Sequence, residues 1–255
     1  MLDRSPLARL LACNRGKGSF RADAGADGMP TLWLYDVLVT SEADAQWGGG
    51  VAADTFARAL AAITAPEIAV RVNSPGGDVF AGVAMAQAMR GHPAKIALHI
   101  DGYAASAATF LLAAADTSVI APGGFVMIHD AWTFAMGDGA TLRQTADLLE
   151  QLDQSIAGQY VARAGGTLES WLALMDAETW FCADDAVGAG LVDAVAASAP
   201  RNSLAWDVSA YRRPPAAALV AAPAPADPAP EPAQDEDFDR RHRLAASVAL
   251  AFQPA

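Results

Sequence analysis

From residue 31 onward, short runs rich in β-branched and aromatic residues alternate with longer alanine-rich stretches whose apolar positions recur at helical spacing. The runs "TLWLYDVLV", "EIAVRVNS", "KIALHID", "TSVIAP" and "FVMIHDAW" predict strands, and residues 51–63, 79–90, 105–115, 141–163 and 183–189 predict helices. Alternation of this kind predicts repeated βαβ units around a largely parallel sheet, an α/β fold. In the longest helical stretch, Leu142, Leu148, Leu149, Leu152, Ile156, Tyr160 and Val161 form a single apolar stripe, as expected for a helix packed along one side.

The pattern fades at both ends. Residues 1–30 mix Arg, Lys, Gly and Asp without a period and read as a flexible arm. Residues 31–197 form the folded domain. Residues 198–255 contain the Ala/Pro/acid tract "RRPPAAALVAAPAPADPAPEPAQDEDFD", which cannot bury a core and reads as a semi-extended linker. Beyond it, "RRHRLAASVALAF" has apolar residues at the spacing of a short helix.

Composition narrows the function. A formal charge of −12 argues against binding to nucleic acid backbones or acidic membranes, which offer no positive counterpart. The longest apolar run, Ala104 to Ala115, is about half the ~20 residues a membrane span needs. Cys13 and Cys182 stand far apart and outside any C-x-x-C pattern, so neither a disulfide framework nor a zinc site is expected, and a reducing cytoplasm fits.

In open α/β sheets the reacting groups gather beyond the carboxyl ends of strands. Three such ends carry chemistry here. "NSPGGDVFAG", residues 73–82, has a proline followed by two glycines and can aim a backbone N–H into a cleft. "DGYAAS" delivers Ser106 to the first turn of a helix, where unpaired N–H groups favour a developing negative charge. "FVMI" ends at His129. Of the other histidines, His92 sits in a turn, His99 inside a strand and His242 in the tail. A serine needs a base to take its proton, and the imidazole in turn needs an acid. Downstream, Asp176 and Glu178 precede the apolar "WF" and are the better candidates. Asp184 and Asp185 read as a helix start, and Asp193 as part of a final strand or turn.

The four segments "NSPGGDVFAG", "DGYAASAATFLLAAA", "VMIHDAW" and "TWFCADDAVGAGLVD" resemble, in order and spacing, the Clp-type serine peptidases. Within them the chain is most similar to the Clp-like head maturation proteases of tailed bacteriophages. The resemblance covers residues 31 to 195 and implies the Clp protease/crotonase-like fold. It implies Ser106 as nucleophile, His129 as general base, and Gly77 and Ala107 as donors of the oxyanion hole. The family's aspartate position falls on Glu178, with Asp176 as its rival. The helix within 141–163 would be the handle through which subunits meet in a ring-shaped homo-oligomer. Protein substrates are implied, with capsid and scaffold proteins as the expected ones, in the host cytoplasm or inside the prohead. No metal, cofactor or nucleotide of its own is implied. The alternatives are a host-type ATP-dependent Clp peptidase subunit and a noncatalytic scaffold that keeps the fold.

Overall fold

The computed structural model describes residues 5–25, 28–197 and 206–216. In chain order they form α1 (Pro6–Asn14), β1 (Ser19–Ala24), β2 (Pro30–Tyr35), β3 (Leu38–Val39), α2 (Glu42–Gly48), β4 (Val51–Ala52), α3 (Ala53–Ala61), β5 (Glu67–Ser74), α4 (Val79–Gly91) and β6 (Lys95–Ala105). A 3₁₀ helix (Ser106–Ala114) follows, then β7 (Thr117–Ile120), β8 (Phe125–Ile128), α5 (Gly139–Ala164), α6 (Leu168–Asp176), β9 (Thr179–Cys182), α7 (Ala183–Gly188) and β10 (Ala194–Val195).

The main sheet runs β1-β2-β5-β6-β7-β10, parallel except at the β1 edge. This is the expected mixed α/β architecture. β6 is long enough to change neighbours along its length. Its first half pairs with β7, and its last residues, Tyr103 to Ala105, pair with β8. β8 in turn pairs antiparallel with β9. The sheet thus opens beyond β7, and the ends of β6 and β8 come side by side with β9 next to them.

β5 and β6 are buried on both faces, which explains their nearly continuous apolar sequence. α4 turns Ala81, Gly82, Met85, Ala86 and Met89, recurring at three- and four-residue intervals, into the core, with Gly82 close against Ala107 and Phe110 of the 3₁₀ helix. Helix starts follow local chemistry. Ser41 and Asp44 form a reciprocal capping box on α2, and Asp78 and Asp138 accept from the first-turn amides of α4 and α5.

Several expectations are corrected. Residues 1–30, read as a flexible arm, supply α1 and β1, and β1 pairs with β2 along its whole length, Ser19↔Tyr35 to Ala24↔Pro30. As an edge strand β1 keeps its side chains largely in solvent, so no apolar alternation marked it. "TLWLYDVLV" is two strands rather than one. The chain steps aside at Asp36–Val37 so that Leu38 can bond to the turn after β5, Leu38 N donating to Gly76 O and Asp78 N to Leu38 O. The helix expected at 51–63 begins only at Ala53, and that at 105–115 is wound as a 3₁₀ helix, where its alanines keep the eclipsed i, i+3 positions uncrowded. Residues 206–216, expected to lie in a linker, bury Trp206 and Val208 against Tyr103. The helix expected within 240–252 lies outside the described residues.

α5 divides into two halves. Ile156, Ala157 and Tyr160 are buried, with the Tyr160 ring tilted against Trp171 of α6. Leu142 and Leu148, part of the same sequence stripe, are 44% and 54% exposed.

Candidate active site

The turn after β5 approaches the end of β6 so closely that only glycine fits. A Cβ on Gly76, at φ +94°, would stand 2.6 Å from the Ala105 carbonyl oxygen and 2.8 Å from the Ser106 Cβ. One on Gly77, at φ +149°, would stand 2.1 Å from the Leu38 carbonyl oxygen. The two glycines therefore let the turn sit between β3 and the serine.

Ser106 adopts φ +51°, a conformation uncommon outside glycine and costly enough to need support from its surroundings. Its carbonyl accepts from Thr109 Oγ1 at 2.6 Å, and the Thr109 hydroxyl meets the buried Tyr160 hydroxyl at 2.6 Å. The strained serine is thus fixed by the helix that follows it. His129 follows the last residue of β8, and its Nε2 lies 2.8 Å from Ser106 Oγ. The β6–β8 pairing, with Ala105 opposite Met127, sets this distance. Burial lowers the His129 pKa to about 4, against opposing effects of the Glu178 charge and a hydrogen bond with the Asp130 backbone; Arg212 adds to the lowering. The ring is neutral at pH 7 and can accept a proton.

Gly77, Ser106, Ala107 and His129 border one cavity of about 540 Å³. The Ala107 amide belongs to the first turn of the 3₁₀ helix, where N–H groups lack partners within the helix. Away from the serine the lining is mostly apolar, with Val79, Phe110, Leu149, Leu152 and Ile156 beside the polar Asp130, Thr133 and Thr145.

A sequence profile of the Clp protease family matches residues 36–199, most of the folded chain. The chain belongs to the Clp protease family. Among its relatives, an ATP-dependent Clp protease proteolytic subunit of Pleurastrum terricola is 31% identical over 133 residues, 51% of this chain and 68% of that protein. Proteolytic subunit 2 of Corynebacterium efficiens is 32% identical over 51% of this chain and 66% of its own length. Proteolytic subunit 1 of Corynebacterium jeikeium is 32% identical over 53% of this chain and 73% of its own. The matched stretch is about half of this chain and about two thirds of each relative. The family is one of serine-type endopeptidases, and the four sequence segments that suggested it lie within the matched residues.

Of the carboxylates considered from sequence, Glu178 is the one beside His129. Its side chain is buried, and its backbone, like that of Ser106, takes a positive φ, +50°. Asp176 is exposed at the end of α6. Asp184 and Asp185 occupy the first turn of α7, and Asp193 accepts from the Ser118 amide and pairs with Arg163 at 2.7 Å. His92 bonds Ile63 O in its turn, and His242 lies outside the described residues. Cys13 and Cys182 are both exposed and unbridged. Among the described residues no group of three or more His, Cys, Asp or Glu is placed to hold a metal ion, and no helix is long and apolar enough to cross a membrane.

Among the described residues, no hydrogen bond or ion pair joins Glu178 to His129. The carboxylate instead accepts from the backbone amides of Arg212 at 2.8 Å and Arg213 at 2.5 Å, with the Arg212 guanidinium at 3.7 Å. The segment bringing those amides is anchored upstream. Trp206 Nε1 donates to Asn73 O and Oδ1, and Asn14 makes a two-way bond with the Asp207 backbone. Tyr211 then lies edge-on to His129, ring centroids 5.3 Å apart, and its hydroxyl donates to Pro75 O. Burial raises the Tyr211 pKa, and a hydrogen bond with Ser106 opposes the shift. Sequence reasoning missed these residues because the Pro/Ala tract immediately after them set the reading of the whole end. The available signal was "WDVSAY", residues 206–211, where an aromatic or apolar residue recurs at Trp206, Val208 and Tyr211 just before that tract.

Proposed function

We propose that the chain hydrolyses peptide bonds through an acyl-enzyme, with Ser106 as nucleophile, His129 as general base and Glu178 as the acid that orients the imidazole. Attack of Ser106 Oγ on the scissile carbonyl transfers its proton to His129 Nε2. The carbonyl oxygen gains charge beside the Gly77 and Ala107 amides, and His129 returns the proton to the departing amine. Water then attacks the acyl-enzyme by the same route. The observation that carries this reading is the 2.8 Å Nε2···Oγ contact at a serine of positive φ, beside a cavity bordered by both candidate oxyanion donors. Order along the chain, serine, histidine, acid, supports it over an α/β-hydrolase reading, which runs serine, acid, histidine. The apolar lining of the cavity favours large apolar side chains before the cleaved bond.

Self-association into rings accords with the exposed apolar residues at the start of the α5 region, Phe134, Met136, Leu142 and Leu148. The relatives are named as ATP-dependent proteolytic subunits, which favours a degradative subunit over a protease that matures capsid and scaffold proteins. The test is digestion of reduced, carboxymethylated casein by wild-type protein and by Ser106→Ala. Internal cleavage by the first and none by the second is expected; equal cleavage by both contradicts the reading. Repeating the digestion on a folded substrate, with and without ATP and an unfoldase, separates the degradative role from capsid maturation, which predicts cleavage of assembled capsid protein without either.

A further inference from the structure

We propose that residues 211–213 form an autoinhibitory latch that obstructs one side of the candidate active site and diverts its acid in the resting chain. The inference rests on the reading of Ser106 and His129 as a catalytic pair and adds a control to it.

Three contacts converge. The Tyr211 ring lies against His129 while its hydroxyl donates to Pro75 O, so one side chain bridges the two walls of the cleft above Ser106. That hydroxyl lies 3.2 Å from where a Cβ on Gly76 would stand, a position itself only 2.8 Å from the Ser106 Cβ. A peptide passing between Pro75 and His129 meets the tyrosine. One and two residues on, the Arg212 and Arg213 amides take both oxygens of Glu178, so the carboxylate next to the imidazole is engaged by backbone and not by His129. One short segment thus flanks one side of the nucleophile and diverts the acid.

The segment is built to move as a unit about a fixed base. Trp206 and Val208 are buried, and the Asn14 and Asn73 bonds hold them. Ser209, Arg212 and Arg213 are exposed, and beyond Val208 the attachment rests on the Tyr211 ring and hydroxyl, the Glu178 contacts, and surface bonds from the Arg212 and Arg213 guanidinium groups to Asp176 O and Ala177 O and from Arg9 to Ser209 O. α1 forms the far wall, with Pro6, Leu7 and Leu10 bordering the space beside Tyr211. Release of 211–213 frees Glu178 to turn to His129 and opens the side of Ser106 that the ring covers. An extended peptide substrate competes for the same cleft and is therefore an opener of the latch.

The test uses the full chain and a fluorophosphonate probe, which phosphonylates the serine oxygen with loss of fluoride. Because labelling is fast only from the form in which Glu178 is free to meet His129, a latch closed about nine-tenths of the time slows it about tenfold. Tyr211→Ala is expected to label Ser106 about tenfold faster than wild type. Tyr211→Phe, which keeps the ring, is expected to stay within about threefold. Arg213→Pro removes one amide donor to Glu178 without touching the aromatic cluster, and faster labelling is expected there too, which guards against a folding defect in Tyr211→Ala. Labelling of both variants at or below the wild-type rate overturns the latch and leaves the peptidase reading standing. If neither wild type nor variants label, the peptidase reading falls, and NMR titration of the His129 ring decides the latch. An upward shift in Tyr211→Ala of about one unit or more keeps the tyrosine as a cover, and an unchanged titration overturns it.

Discussion

Ser106 and His129 stand at the ends of β6 and β8, two strands that pair with each other, and the strand pairing that brings them together lies within residues 31–197. Glu178, at the edge of the same cleft, has both oxygens committed to amides of residues 212 and 213, outside the stretch matched to the Clp protease family. The difference is one of stiffness. Ser106 and His129 are held by sheet register and by a serine pinned through Thr109 and Tyr160, whereas Glu178 is held by a short segment attached at its base together with the Trp180 indole. On the proposed assignment, the reacting pair is preformed and the acid is the member through which it would be regulated.

The contrast fixes where substitutions should hurt. Ser106→Ala and His129→Ala remove the rigid half and are expected to cut peptide hydrolysis by about 10⁴-fold or more, with secondary structure intact by circular dichroism. Glu178→Gln is expected to lower kcat by about 10²- to 10⁴-fold, since an acid that orients the imidazole contributes less than the pair it serves. Asp176→Asn, at an exposed position, serves as its control and is expected to leave kcat near wild type. The reverse ranking of the two acids would move the triad's third member to Asp176.

Acid titration sharpens the same comparison from the stability side. His129 is held at about 4 against an ordinary 6.5, so between these values the unfolded chain binds more protons than the folded one, and stability falls as pH drops. The full difference is worth about 3 kcal/mol. Asp153, raised to about 6 by burial, works in the opposite sense, gaining stability as pH falls toward its ordinary range. Urea midpoints of wild type and His129→Gln compared from pH 7 to 4 isolate the histidine. Wild type is expected to lose more stability over that window, and parallel curves would contradict the burial of a neutral ring. The smallest effect is expected at the support beneath the serine. Tyr160→Phe deletes the hydroxyl that meets Thr109, at a cost of about 1 kcal/mol, read as a Tm lower by about 2–4 °C.

What could be read from the sequence follows the same division. β5, α4, β6, β7 and β8 carry continuous or periodic apolar signals because they are buried on one or both faces, and the serine and histidine are located by the ends of those strands. β1 was hidden because an edge strand with solvent-facing side chains has no apolar alternation, and α2 and α6 because short helices owe their ends to capping by Ser41 and Thr167 more than to a long stripe. The helical stripe of 141–163 was legible as a pattern but not as a burial map, since Leu142 and Leu148 carry the period into solvent. The acid could be narrowed to Asp176 or Glu178 by position. Its bonding could not, because the amides that hold it come from a segment whose aromatic anchors are outnumbered by the prolines and alanines that follow.

The preformed serine–histidine pair is tested most directly by mapping the fluorophosphonate adduct on the wild-type chain by peptide mass spectrometry, with His129→Ala alongside. Adduct on Ser106 alone, at a rate that falls by about 10²-fold or more when His129 is removed, is the expected result. Adduct on another serine, or labelling of Ser106 that does not depend on His129, would contradict it.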